Sequence, residues 1–260
     1  MLSTSKFTRL LHWKDVIFLL VMRDFKARYK HTRIGMVWSV ASPVLFLLIF
    51  YFLFTKVINL QIPQYATYVF VGILAWNWMQ TALLQAVATI SGNAGLVNQP
   101  GFPLASLPVI AVASAFLNFL IALPLMLILA WAEGSHLSTT LLCVPIVMMI
   151  QFVFILGIAY IVAGLNVAFR DVEQALPILL QLGYYLTPVF FSVAAVPPRF
   201  LPVFQANPMT TLIDAYRQVI MYGQWPAWPN LGAVLAVSAA LLLAGFFYFQ
   251  HARYRFLEEL

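Results

Sequence analysis

Five basic side chains near the start of the sequence are spaced to meet an anion: Arg23, Lys26, Arg28, Lys30 and Arg33. A guanidinium fork holds phosphate oxygens in pairs and an ammonium acts as a point charge, so the run can grip an anionic head group. The plainer use of the same residues is anchoring on anionic lipid, worth about 1 kcal/mol per basic residue. Aromatic rings form a second group. Phe46, Phe50 and Phe54 stand at i, i+4 and i+8 on one helical face with Tyr51 beside them, and Tyr184, Tyr185, Phe190 and Phe191 gather around Pro188. Ring faces stack on C–H surfaces, and such stacking tolerates sliding where a fixed hydrogen bond does not. Rings facing lipid or packing helices together are the plainer alternative.

Groups for bond-making chemistry are scarce. His12, His31, His136 and His251 are scattered without metal-ligand spacing, and no glycine precedes a lysine, so there is no phosphate-binding P-loop. Ser3-Thr4-Ser5-Lys6 matches S-x-x-K but lacks companion motifs. No carboxylate falls inside an apolar run long enough to span, which argues against a proton relay. No catalytic residue, no metal site and no cofactor is assigned to this chain. Cys143, the single cysteine, reads as a small buried hydrophobe.

The elements that must position these residues follow from composition. Of 260 residues, 63% are apolar, 8% charged and 15% aromatic, with a mean hydropathy of +0.92. Soluble domains carry about 25% charged residues, so a soluble enzyme, a nucleic-acid-binding domain and a disordered protein are excluded. The solvent for most of the chain is lipid. No charge occurs over 57–132, 134–169 or 218–252. Those gaps hold four expected spans, at about 65–90, 105–131, 138–165 and 230–250, and the apolar runs at about 34–56 and 174–196 make six. Trp38, Tyr65, Tyr68, Trp131, Trp225 and Trp228 fit interface belts near the span ends, and Gly232, Ala236, Ala240 and Ala244 form a small-residue ridge suited to helix packing.

An even number of spans puts both termini on one side, and eleven Lys and Arg against three place that side in the cytoplasm. Residues 1–33 are read as a cytoplasmic tail and an amphipathic helix in the membrane interface, because the apolar run 16–22 is too short to cross. Residues 34–252 form the six-span domain and 253–260 a second cytoplasmic tail. The segment 197–229 reads as a short helical hairpin in or on the outer leaflet.

Several stretches, in register with these spans, carry a family resemblance. Arg23-Asp24-Phe25-Lys26-Ala27-Arg28-Tyr29-Lys30 is followed by Ile34-Gly35-Met36-Val37-Trp38 and Pro43; Asn166-Val167-Ala168-Phe169-Arg170-Asp171-Val172 precedes the fifth span; Tyr185-Leu186-Thr187-Pro188-Val189 lies within it; Asn207-Pro208 leads to Tyr216-Arg217. Together they resemble the ABC-2 type permeases, and among them the polysaccharide exporters of O-antigen, capsule and teichoic-acid systems, the O-antigen type most closely. The resemblance implies an all-α integral membrane fold of the type V exporter kind: six transmembrane helices, an N-terminal interfacial helix and a periplasmic re-entrant hairpin.

It further implies a homodimer in the bacterial inner membrane with two separate ATP-binding cassette subunits, which hold ATP and Mg, and a lipid-linked polysaccharide as cargo. Nucleic acid is no partner. The basic helix would then meet a polyprenyl pyrophosphate, and the aromatics would line the glycan path. Coupling to the ATPase would fall on the loop 91–104 and on Arg170 and Asp171. The loop lacks the basic residues frequent in the family, so its contact is read as apolar through Leu96, Val97 and Phe102, with hydrogen bonds from Asn93 and Asn98. An ordinary polar turn, and a lipid anchor at Arg170 and Asp171, are the plainer readings. The competing functions are an ABC-2 exporter of another lipid or drug, a membrane enzyme acting on polyprenyl phosphates, and a secondary transporter.

Overall fold

The computed structural model describes residues 15–26, 37–57, 62–97, 99, 101–135 and 138–259, with 39, 40, 54, 94 and 253–259 described by their backbone alone. Helix α1 covers 15–26, and α2 (Trp38–Tyr51) runs into a π-helical turn, Phe52–Val57. Next come α3 (Tyr65–Val87), a 3₁₀ turn Ser91–Asn93 with the short α4 (Ala94–Val97), α5 (Ser106–Ala132) and α6 (Val144–Ala168). After them stand α7 (Asp171–Tyr185), α8 (Leu201–Ala206), α9 (Pro208–Ile220) and α10 (Trp228–Glu259). No strand occurs among the described residues.

Among the described residues, three segments are long and apolar enough to cross a membrane: Ser106–Ala132, Thr139–Ala168 and Trp228–Ala252. Helix α3 is as long as a span but carries Asn77, Gln80, Thr81 and Gln85. Its polar content is tolerated because α2, α5, α6, α7 and α9 all pack on it. Midway along it, Gln151 Nε2 of α6 donates to Ala75 O at 2.8 Å. Helices α6 and α10 approach closely where Gly157 faces Gly245: a Cβ built on Gly157 would lie 2.7 Å from Leu242 N.

The small-residue ridge of α10, expected to pack within the chain or between subunits, does not pack within the chain. Ala236, Ala240 and Ala244 are exposed, and nothing lies within 4 Å of a Cβ at Gly232. The helix packs instead through Leu231, Val234, Ser238, Gly245 and Phe249, a face that mixes spacings of three and four as an α-helix requires.

The run 174–196 is helical only as far as Tyr185, which leaves α7 about 22 Å long against a hydrocarbon core of about 30 Å. Pro188 offers no N–H and pushes Thr187 out of the helical region, so the chain turns and Thr187, Pro188 and Val189 are buried as a loop. Helices α8 and α9 follow as a hairpin, with α9 packed on α3, α6 and α10.

Candidate functional site

The predicted aromatics converge. Phe46 and Phe50 stack at 6.5 Å between centroids, Phe50 and Phe190 at 5.4 Å with planes only 7° apart. Tyr184 joins Phe190 at 5.9 Å and Tyr185 at 5.7 Å, and Phe191 continues from Phe190 at 5.4 Å. These rings form one ladder from α2 across the end of α7 into the following loop. Its outer members Phe46 and Tyr185 are exposed, whereas Phe50, Tyr184, Phe190 and Phe191 are half-buried. Tyr51 is exposed beside the ladder, and the side chain of Phe54 lies outside the described residues.

Two neighbours escaped the sequence reading. Trp76 of α3 packs on Tyr184 at 5.8 Å, made possible by Gly183, whose Cβ would stand 3.0 Å from the indole. Phe204 of α8 receives Phe191 at 5.8 Å and extends the ladder into the hairpin. Neither has a local signal beyond being aromatic.

The loop after α7 is held by a polar knot. Thr187 Oγ1 donates to Gly183 O at 2.8 Å and accepts from Asn207 Nδ2 at 2.9 Å, while Asn207 Oδ1 caps α9 by accepting from Met209 N at 3.0 Å. Arg217, only 1% exposed, donates through Nη2 to Val189 O at 2.7 Å and through Nε and Nη2 to Tyr68 O at 3.3 and 3.2 Å. Its guanidinium also lies 3.4 Å over the Tyr68 ring, and Nη1 is 3.5 Å from Asp214 Oδ1. Burial pushes this guanidinium below its ordinary pKa, against which Tyr68 and Asp214 work. Gly72 lets the loop come this near, since a Cβ there would sit 2.9 Å from Val189 O.

Tyr65 and Tyr68 are not belt residues. They are 3% and 5% exposed, and their hydroxyls donate to Phe190 O at 3.1 Å and Phe191 O at 2.9 Å. Buried hydroxyls of this kind take the nearest free acceptors, here the loop's carbonyls. The motifs around Thr187, Asn207 and Arg217 therefore meet in one place; the sequence shows Arg217 as part of a motif and as a charge on an outer segment, without a partner or a role.

At the other end of α3, Asn166 Nδ2 donates to Val87 O at 2.9 Å and its Oδ1 accepts from Glu173 N at 3.1 Å, tying α3, α6 and the start of α7 together. Arg170 and Asp171 are exposed beside this tie, and Asp171 and Glu173 occupy the first turn of α7, where negative charge suits the helix dipole.

Helix α1 lies against the α3–α5 loop. Arg23 pairs with Asp24 at 2.8 Å and donates to Asn93 Oδ1 at 3.2 Å, so two groups expected to serve head group and ATPase separately touch each other. Lys26 is exposed; Arg28, Lys30, Arg33 and Asn98 lie outside the described residues.

Val97 is 4% exposed, packed with Val21, Ile90, Leu107 and Phe249 in a second apolar core, which Leu96 and Phe102 flank half-buried. Its apolar side chain faces the chain's own interior, and among the described residues the exposed part of this loop is Ser91, Gly92, Gly95, Gln99 and Gly101. Among the described residues no group of His, Cys, Asp and Glu is arranged to hold a metal.

Comparison with known proteins returns one family and several relatives. The model of the family described as ABC-2 type transporter matches residues 15–221. The O-antigen export system permease protein RfbA of Myxococcus xanthus is 32% identical over 253 residues, covering 96% of this chain and 97% of the relative. RfbA of Klebsiella pneumoniae is 29% identical over 247 residues, with 95% of each chain covered. The polysialic acid transport protein KpsM of Escherichia coli is more distant, at 23% identity with 95% coverage of each.

Proposed function

This chain belongs to the ABC-2 type transporter family, and from that membership we propose that it is the permease subunit of an exporter for polyprenyl-pyrophosphate-linked polysaccharide of the O-antigen kind. The observation that carries the reading is the ring ladder from Phe46 through Phe50 and Phe190 to Phe191, exposed at Phe46 and Tyr185. Sugar C–H faces stack on such rings and slide along them, so a polymer can pass a series of equivalent contacts without a deep trap. Relatives named for O-antigen export, matched over nearly their full length, support the same cargo.

In this reading α2, α3, α5, α6, α7 with its following loop, and α10 are the six spans, and the α8–α9 hairpin enters the outer leaflet. Both termini lie in the cytoplasm of a bacterial cell, on the inner face of its cytoplasmic membrane. Two copies of the chain work with two nucleotide-binding subunits, and ATP and Mg belong to those. The basic residues of α1 meet the pyrophosphate at the inner leaflet, and the exposed surface of the 91–101 loop, with Arg170 and Asp171, meets the ATPase. Arg23, bonded to Asn93, then joins the substrate side to the ATPase side.

Reconstitution with the ATPase in proteoliposomes, using a defined polyprenyl-linked glycan, tests the proposal. ATP-dependent movement of the glycan across the bilayer is expected, with Phe50→Ala and Tyr184→Ala impairing long glycans more than complex assembly. Transport of the lipid carrier irrespective of its glycan would overturn the polysaccharide reading.

A further inference from the structure

Two open cavities lie against α9 off the end of the ring ladder. The smaller, about 240 Å³, is lined by Ser192, Asp214, Arg217, Gln218 and Tyr222 among others. The larger, about 590 Å³, lies between the hairpin and the start of α10 and includes Gln205, Thr210, Thr211 and Asn230. Val193, Asp214 and Gln218 line both, so the two adjoin. The ladder leads to them: Phe191 packs on Phe204, and the next residue, Gln205, is part of the larger wall.

Two deeply buried polar atoms in these walls have no hydrogen-bond partner among the described residues. They are Nη1 of Arg217, a residue 1% exposed, and Oγ1 of Thr210, a residue 4% exposed. Both atoms are closed off from the cavity space itself, so a ligand there meets the accessible polar groups of the walls: Gln205, Thr211, Asp214, Gln218 and Asn230. Charge selects the ligand's class. Asp214 lies 3.5 Å from Arg217 Nη1, and no other charged side chain lines either cavity, so the walls carry no net charge. A phosphate would meet the Asp214 carboxylate without a spare cation, and an ammonium would meet the Arg217 guanidinium without a spare anion. A hydrocarbon tail would leave the amides of Gln205 and Asn230, and the Nε2 of Gln218 whose Oε1 already accepts from Ala227 N, unserved. A neutral polyol fits, because each hydroxyl both donates and accepts. The combined space is in the range of ligand sites, about 300–1,000 Å³.

We propose that the joined cavities are a carbohydrate subsite on the exit side of the permease, holding a neutral, hydroxyl-bearing segment of the emerging glycan. Asp214 accepts from neighbouring ring hydroxyls while Arg217 balances its charge from beneath the wall, and Gln205, Gln218 and Asn230 complete the set. The assignment rests on the export reading above and adds a stop after the sliding ladder.

Site-specific photo-crosslinking in cells that make the polysaccharide tests it, using the complete transporter with p-benzoylphenylalanine at one position at a time. Thr211 reports the cavity, Phe50 the ladder, and Val203, exposed on α8 and part of neither cavity, the background. Glycan adducts are expected at Thr211 and Phe50 and not at Val203. Asp214→Asn, and independently Asn230→Ala, should lower the Thr211 adduct several-fold while the Phe50 adduct persists. Adducts at Phe50 with none at Thr211, phospholipid alone at Thr211, equal glycan adducts at Val203, or a Thr211 adduct indifferent to both substitutions would each overturn the subsite and leave the export reading standing. Glycan at none of the three positions, in a complex that retains its ATPase, would remove the export reading and the subsite with it.

Discussion

Replacing Arg217 with methionine isolates what the buried guanidinium does, because methionine keeps much of the aliphatic volume. The change removes the 2.7 Å bond to Val189 O, the two longer bonds to Tyr68 O and the stack 3.4 Å over the Tyr68 ring. Val189 is 0% exposed and sits in a non-helical loop, so its orphaned carbonyl costs about 1–3 kcal/mol. A desolvated cation–π contact adds about 2 kcal/mol. Relief from burying a guanidinium works in the opposite direction. Asp214 keeps 43% of its side-chain surface exposed, so its unpaired carboxylate stays hydrated and adds no large penalty. The net expectation is a loss of about 2–3 kcal/mol, below the 3–5 typical when a fully buried pair is broken. At about 2–4 °C per kcal/mol for a chain of this size, the apparent unfolding temperature in detergent should fall by about 4–12 °C. Tryptophan fluorescence on heating reads it. Arg217→Lys, which keeps the charge and loses the fork, should fall between parent and Arg217→Met. Unfolding of Arg217→Met at the parent temperature would refute the account of the knot.

Gly72→Ala must push the Val189 backbone, 2.9 Å away at its carbonyl oxygen, and should cost about 1–3 kcal/mol in the same melt, whereas Gly92→Ala meets nothing within 4 Å and should be silent. Asn166→Ala leaves Val87 O and Glu173 N without their side-chain partner and should lower the melt by a similar amount, with protease sensitivity appearing first near the start of α7. Neutralising Arg23 and Lys26 together with glutamine should reduce glycan export while membrane insertion persists; equal export would leave lipid anchoring as their role. Val97→Asp places a charge in the second core and should abolish folded protein, whereas Gly95→Asp, exposed on the same loop, should fold and lose ATPase association; normal association would move the docking surface elsewhere.

Much of the helix plan was legible because charge gaps and Gly/Pro breakers are local. The expected spans 65–90, 105–131, 138–165 and 230–250 coincide with the helices α3, α5, α6 with the 3₁₀ turn Thr139–Cys143 before it, and α10, to within a few residues, apart from the extension of α10 beyond residue 250. The end of α7 was not legible. Proline alone is tolerated in membrane helices when neighbours satisfy the freed groups, so Pro188 did not by itself break an apolar run. What fixes the break is Thr187 meeting Asn207, 20 residues on, and Val189 meeting Arg217, 28 residues on. Side-chain burial failed for the same reason. Tyr65 and Tyr68 have belt positions and belt chemistry, yet the carbonyls that claim their hydroxyls lie more than 120 residues away. On α10 the every-fourth-residue ridge was visible and the packing face was not, because Gly157 on another helix decides which side of α10 comes close.

In a chain this apolar, hydrophobic contact says little about arrangement, since lipid tails serve a leucine as well as another helix does. Direction comes from the few polar side chains that must find partners inside. Helix α3 shows the consequence: Gln151 holds it at mid-length, Asn166 at one end, and Arg217 at the other. Two of those anchors reach onward to α7 and its loop, Asn166 to Glu173 N and Arg217 to Val189 O. The enclosed helix and the ring-bearing helix are therefore tied at both ends by hydrogen bonds. The Ser91–Asn93 turn that meets Arg23 follows α3 within four residues, so the basic-helix end of the molecule reaches the ring ladder through α3 and these polar anchors rather than through apolar packing alone.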